Sequence, residues 1–191
     1  MSEDDGPSRR ALLGAATTAL GSGAAVLAGC GGGGRTAAKA VHKAKPTVQH
    51  ADIALLKALL DLERRTVAAY IAGLPLLSLP DARIAKQFLN EELQHTGELI
   101  SLIKAAGGKT APHLGAYDLG RPGDGPAVLA LLHGLERAQI SAYLETIPKL
   151  SPSPVRAAAA TILASDAQHV AVLRAVQGLD PMPSAFLTGQ Q

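Results

Sequence analysis

The chain has 191 residues, 18 Lys and Arg against 16 Asp and Glu, one Cys, no Trp and 47% hydrophobic residues. One cysteine excludes an intramolecular disulfide and a Cys-based zinc cluster, and a net charge of +2 with three Tyr, two Phe and no basic stripe argues against a nucleic-acid partner. The apolar content is mostly Ala and Leu, which excludes a disordered chain and favours helices over strands.

Residues 1–29 read as an address. Arg9 and Arg10 precede a weakly apolar run, Ala11 to Gly29, that ends in Leu27-Ala28-Gly29-Cys30. This is the pattern of a twin-arginine export signal feeding a lipoprotein cleavage site, with Cys30 becoming a lipid-modified N-terminus. An uncleaved anchor helix is the alternative, and Glu3, Asp4 and Asp5 are unusual ahead of an export signal. Both readings place the domain outside the cytoplasm, held at the cell membrane. Residues 30–49, with Gly31 to Gly34 and then Arg35, Lys39, Lys43 and Lys45, read as a flexible basic tether. It is either drawn to anionic headgroups or a solvated spacer.

From residue 50 to 180 the periodicity is helical. The first helix is expected over about 51–73, with Pro75 and Pro80 punctuating the turn after it. The second is expected over 81–106, stopped by Gly107-Gly108. A connector rich in glycine follows over 107–125. The third helix starts near Pro126 and fades at Pro148. The fourth takes Ser153 as N-cap and Pro154 as its first residue, and continues to about Gln177. Residues 181–191 form a tail.

The two hairpins repeat one another. Leu62-Glu63-Arg64 with Ala69-Tyr70 recurs 73 residues on as Leu135-Glu136-Arg137 with Ala142-Tyr143. Glu92-x-x-His95 recurs 74 residues on as Asp166-x-x-His169. Two short-turn hairpins joined by a long connector describe an all-α four-helix bundle with one crossover.

An inward stripe spaced by threes and fours runs along each helix. It reads Ile53, Leu56, Leu60, Glu63, Val67, Tyr70, Leu74 on the first and Ala85, Phe88, Glu92, His95, Leu99, Leu102, Ala106 on the second. On the third it reads Leu129, His133, Glu136, Ile140, Tyr143, Ile147, and on the fourth Ala159, Ile162, Asp166, His169, Leu173, Val176. Four acids and two imidazoles thus fall in one mid-bundle layer where leucine is expected. An unpaired buried charge costs several kcal/mol against a total stability of about 5–15 kcal/mol, so the layer demands compensation. Two divalent cations supply it, and oxygen with imidazole donors suits iron or manganese. The competing reading has some acids protonated, or paired with Arg64, Arg65 and Arg137 in a wet core.

Glu63, Glu92-x-x-His95, Glu136 and Asp166-x-x-His169 resemble the ferritin-like di-iron/di-manganese carboxylate family, which includes bacterioferritins and rubrerythrins. The resemblance implies that Glu63 and Glu136 are terminal ligands, that Glu92 and Asp166 bridge, and that His95 and His169 each cap one metal. Asp166 departs from the family's Glu and is one methylene shorter, which implies a weaker second site or a single metal. Tyr70 and Tyr143 resemble tyrosines that hydrogen-bond ligand carboxylates in some members; a core tyrosine with a satisfied hydroxyl is the other option. His133, one turn before Glu136, is an extra ligand, a proton carrier or a core histidine. Glu91 and Glu98 read as solvated.

The expected function is that of an exported, membrane-tethered protein with two iron (or manganese) ions, redox-active toward dioxygen or peroxide as a ferroxidase or scavenger. The alternative is a non-catalytic binding or metal-delivery lipoprotein with a vestigial or structural site. Expected partners are metal ions and the membrane through Cys30, with a homodimer open and the redox partner unspecified.

Overall fold

The computed structural model describes residues 48–112, 117–151, 154–186 and 188–191. The expected export signal, Cys30 and nearly all of the tether lie outside the described residues, as does Ser153. No helix among the described residues is long and apolar enough to cross a membrane.

Four helices carry the fold: α1 Ile53–Gly73, α2 Leu79–Ala105, α3 Gly125–Thr146 and α4 Pro154–Val176. Short 3-10 turns at His50–Asp52, Leu74–Leu76 and Ile147–Lys149 flank them, and no strand occurs among the described residues. One expected boundary is corrected. Pro80 does not punctuate the turn but sits in the first turn of α2, capped by Ser78. The Asp81 N–H donates to Ser78 Oγ at 3.3 Å, and first-turn N–H groups have no intrahelical acceptor for proline to remove. Asp124 caps α3 likewise, its Oδ1 accepting from the Ala127 N–H at 2.9 Å ahead of the expected Pro126 start.

α1 packs on α2 and α3 on α4, and the hairpins meet chiefly through α1 and α3. These two helices run antiparallel. At one end Gly73 approaches Val128 so closely that a Cβ on it would lie 2.5 Å from Val128 Cγ1. At the other end buried Asp52 accepts from the Ser151 N–H at 2.8 Å. The connector therefore returns along the length of the bundle. It is held to α1 by Arg64 and Arg65, whose guanidinium groups donate to the carbonyls of Ala111 and Asp118, and by Tyr117, whose hydroxyl donates to Asp61. The C-terminal residues return to α3, where Arg137 donates to the Gly189 carbonyl and Ser141 to that of Thr188.

The core is two apolar clusters rather than one. The first gathers residues such as Leu56, Leu60, Leu99, Leu150 and Ile162. The second gathers Ala85, Phe88, Val128, Leu132 and Leu173. On every helix the polar-layer residues fall between the two clusters. Val67, Ile147 and Val176 are only half-buried, whereas Thr66 and Gln139, outside the expected stripe, are fully buried.

Candidate metal centre

Each helix contributes its mid-point to the layer. Glu63, Glu92, Glu136 and Asp166 are 0% exposed, His169 1% and His95 8%. One oxygen or ring nitrogen from each of Glu92, Glu136, Asp166 and His169 falls within 4.8 Å of the others, and the same holds for Glu63, His95 and Asp166. Asp166 belongs to both groups despite its missing methylene. Glu92 also lies between them: its Oε1 is 3.3 Å from His95 Nδ1 and 3.4 Å from His169 Nδ1.

The surroundings hold one oxygen of each glutamate and leave the other facing inward. Tyr143 donates to Glu63 Oε1 at 2.6 Å and Tyr70 to Glu136 Oε1 at 2.7 Å, each tyrosine serving the glutamate of the opposite repeat. Gln139 donates to Glu92 Oε2 at 3.0 Å and accepts from the Thr66 hydroxyl at 3.0 Å. Glu63 Oε2, Glu92 Oε1, Glu136 Oε2 and both oxygens of Asp166 are buried with no hydrogen-bond partner. His95 Nδ1 shares that state, 3.4 Å from Asp166 Oδ1.

Arginine does not compensate these acids. The guanidinium groups of Arg64, Arg65 and Arg137 are turned to connector and tail carbonyls, and the ion-pair partners of the layer's acids among the described residues are the two histidines alone. Protons are drawn in instead. Burial pushes the Glu63 carboxyl up to about 8, with the Glu92 charge adding to it. Burial also pushes up Glu136, to about 6, and Asp166 well above the usual range, where the charges of Glu63 and Glu136 reinforce it. Burial alone favours neutral histidines, but the adjacent carboxylates of Glu63 and Glu92 lift His95 to about 9, and those of Glu136 and Glu92 lift His169 to about 11. Burial opposes ionisation of Glu92 too, yet the imidazoles of His169 and His95 beside its Oε1 hold it down at about 2.

One residue reads differently from the sequence expectation. Glu91, expected as solvated, has Oε2 2.7 Å from His169 Nε2. An ionised carboxylate only accepts, so Nε2 carries the proton and Nδ1 is the nitrogen turned to the layer. His133 joins neither donor group: it is buried on α3, its Nε2 has no partner, and burial lowers its pKa with help from Arg137 and Arg174. Thr66 and Gln139 were missed altogether. The repeat carried a signal for them, since they are 73 residues apart and each lies three residues after a layer glutamate.

A family described as a ferritin-like domain matches residues 51–179, the whole bundle. The chain belongs to this ferritin-like family. Its fold is also that of a conserved hypothetical protein, rv2844, from Mycobacterium tuberculosis: the two share 20% identity with a TM-score of 0.64 over 71% of this chain and 96% of the other. No curated protein matches the chain. The ferritin-like bundle thus encloses a buried carboxylate–histidine cluster that can hold metal.

Proposed function

We propose that the chain binds two iron or manganese ions in this layer and uses them in redox chemistry with dioxygen or peroxide. One observation carries the reading: inward-facing carboxylate oxygens, fully buried and without partners, converge from four helices with no arginine or lysine among the described residues to neutralise them. Glu92, Glu136, Asp166 and His169 would hold one ion, and Glu63, His95 and Asp166 the other. Bound there, the pair would supply electrons to an oxidant.

The protein's part is positioning and insulation. Tyr70 and Tyr143 restrict the terminal glutamates to one inward oxygen each, Gln139 does the same for Glu92, and Glu91 fixes the tautomer of His169. The apolar clusters above and below keep bulk water from the layer. On the strength of Arg9-Arg10 and Cys30, the proposal places the domain at the outer face of the cell membrane, lipid-anchored.

A second reading is favoured by the raised pKa values of His95, His169 and Glu63, which let protons stand in for cations. It makes the domain a metal-free helical module. Metal analysis after expression with iron or manganese, followed by anaerobic Fe(II) titration, separates the two. Two ions per chain support the first reading, and trace metal with no Fe(II) uptake overturns it. Absorbance changes on mixing the loaded protein with dioxygen or peroxide then distinguish turnover from mere carriage.

A further inference from the structure

The two donor groups are not equivalent, and the difference lies in what surrounds the histidines. The 74-residue offset that superposes His95 on His169 also pairs Ser165 with Glu91 and Ile162 with Phe88. His169 is fixed on two sides. Its Nε2 meets the Glu91 carboxylate at 2.7 Å, and its ring stacks on Phe88 with centroids 4.1 Å apart and planes 26° apart. The corresponding places around His95 hold a hydroxyl and an aliphatic chain. There the surface opens into a pocket of about 260 Å³ between α2 and α4, lined by Glu91, Gln94, His95, Thr161, Ile162 and Ser165.

The acids differ in the same sense. Glu92, in the His169 group, is tied through Gln139 to Thr66, whereas Asp166 has neither oxygen held by a neighbour. One group thus offers four donors, three of them fixed from outside: Glu92 by Gln139, Glu136 by Tyr70 and His169 by Glu91. The other offers three donors, with only Glu63 so fixed. Donors already held in the binding geometry lose less freedom on binding.

We propose that the sites fill in order. The first divalent cation takes Glu92, Glu136, Asp166 and His169; the second takes Glu63, His95 and Asp166; and both enter through the pocket beside His95. The route follows from exposure. The four acids are wholly buried, and His95 is the donor that reaches the surface. At roughly 30 Å³ per water, the pocket admits a cation with part of its hydration shell. The Glu91 carboxylate at its mouth attracts positive charge. This order and route rest on the metal reading above and extend it.

Co(II) added to the chelator-stripped full chain is the probe, followed by its visible absorption. The expected titration has two steps, one equivalent each, the first tighter. Glu91→Ala should weaken the first step by about 10–100-fold and leave the second. Ser165→Leu, which fills the pocket, should slow Co(II) uptake several-fold while the endpoint stays at two equivalents. Thr161→Trp, at the exposed rim, gives the same blockade with less risk to folding, which circular dichroism checks for every variant. Two equivalents bound in a single step, or an unchanged first step in Glu91→Ala, overturn the order and leave the metal reading standing. Uptake at the unaltered rate in both pocket variants overturns the route. No Co(II) binding overturns the metal reading and this inference together.

Discussion

At the scale of single residues, the layer is three glutamates each restrained on one oxygen beside an unrestrained Asp166. Gln139 is the restraint the stripe does not reveal, and it links Thr66 to Glu92. Gln139→Leu conserves volume but strands the buried Glu92 Oε2, whereas the Thr66 hydroxyl keeps the Leu62 carbonyl as its acceptor. A buried group left without its partner costs about 1–3 kcal/mol, so the urea midpoint of the metal-free protein should fall accordingly, and Co(II) affinity should fall with it. An unchanged midpoint would mean water replaces the amide. The protons of the layer make a second prediction. Groups with raised folded-state pKa values bind protons that the unfolded chain releases, so their stabilisation is complete below the ordinary value and is lost as pH rises to the folded one. For Glu63 that window runs from 4.5 to about 8, and for His95 from 6.5 to about 9. Glu92 acts oppositely, its contribution present above 4.5 and lost as pH falls through about 2. The metal-free protein should therefore melt at progressively lower temperature from about pH 6 to pH 9. Metal affinity should rise over the same interval, because binding expels these protons. A melting temperature flat across that range would contradict the charge balance described.

At the scale of the helices, packing between α1 and α3 depends on one absent side chain. Gly73→Ala puts a methyl 2.5 Å from Val128 Cγ1. Overpacking of this kind costs about 1–3 kcal/mol and outweighs the gain of up to about 1 kcal/mol from removing a helical glycine. The expected net loss is about 1 kcal/mol by urea denaturation, relieved in the double variant Gly73→Ala, Val128→Ala.

The helices themselves were legible because apolar period, caps and prolines agree, and the layer because six polar residues interrupt a regular stripe in duplicated order. What a single helix cannot display went unread. Glu91 adjoins the stripe and points aside on its own helix; only the approach of α4 brings His169 against it. Asp52 looks like a surface acid until the turn before α4 supplies the Ser151 N–H. Pro80 was misplaced because proline signals both a turn and a first helical residue, and Ser78, its cap, decides between them.

At the scale of the whole molecule, the bundle is two apolar clusters joined across a charged plate, and cohesion there depends on what neutralises it. A ligand at a hundred times its dissociation constant stabilises the fold by about 2.7 kcal/mol. Saturating Fe(II) or Mn(II) under anaerobic conditions should thus raise the melting temperature by several degrees, and a chelator should reverse it. Glu92→Ala, which removes the oxygen lying between both histidines, should diminish that rise; a full shift in this variant would remove Glu92 from the ligand set.

The crossed tyrosines have a historical implication. Tyr70 reaches Glu136 and Tyr143 reaches Glu63, so an isolated hairpin owns a tyrosine and a glutamate that never meet. A forebear of half this length could have closed such bonds only by pairing with a twin. In a pair of twins, any mutation appears in both members at once. Glu91 facing Ser165, or Gln139 facing Thr66, are differences that no such pair could acquire. Fusion into one polypeptide freed the halves to specialise.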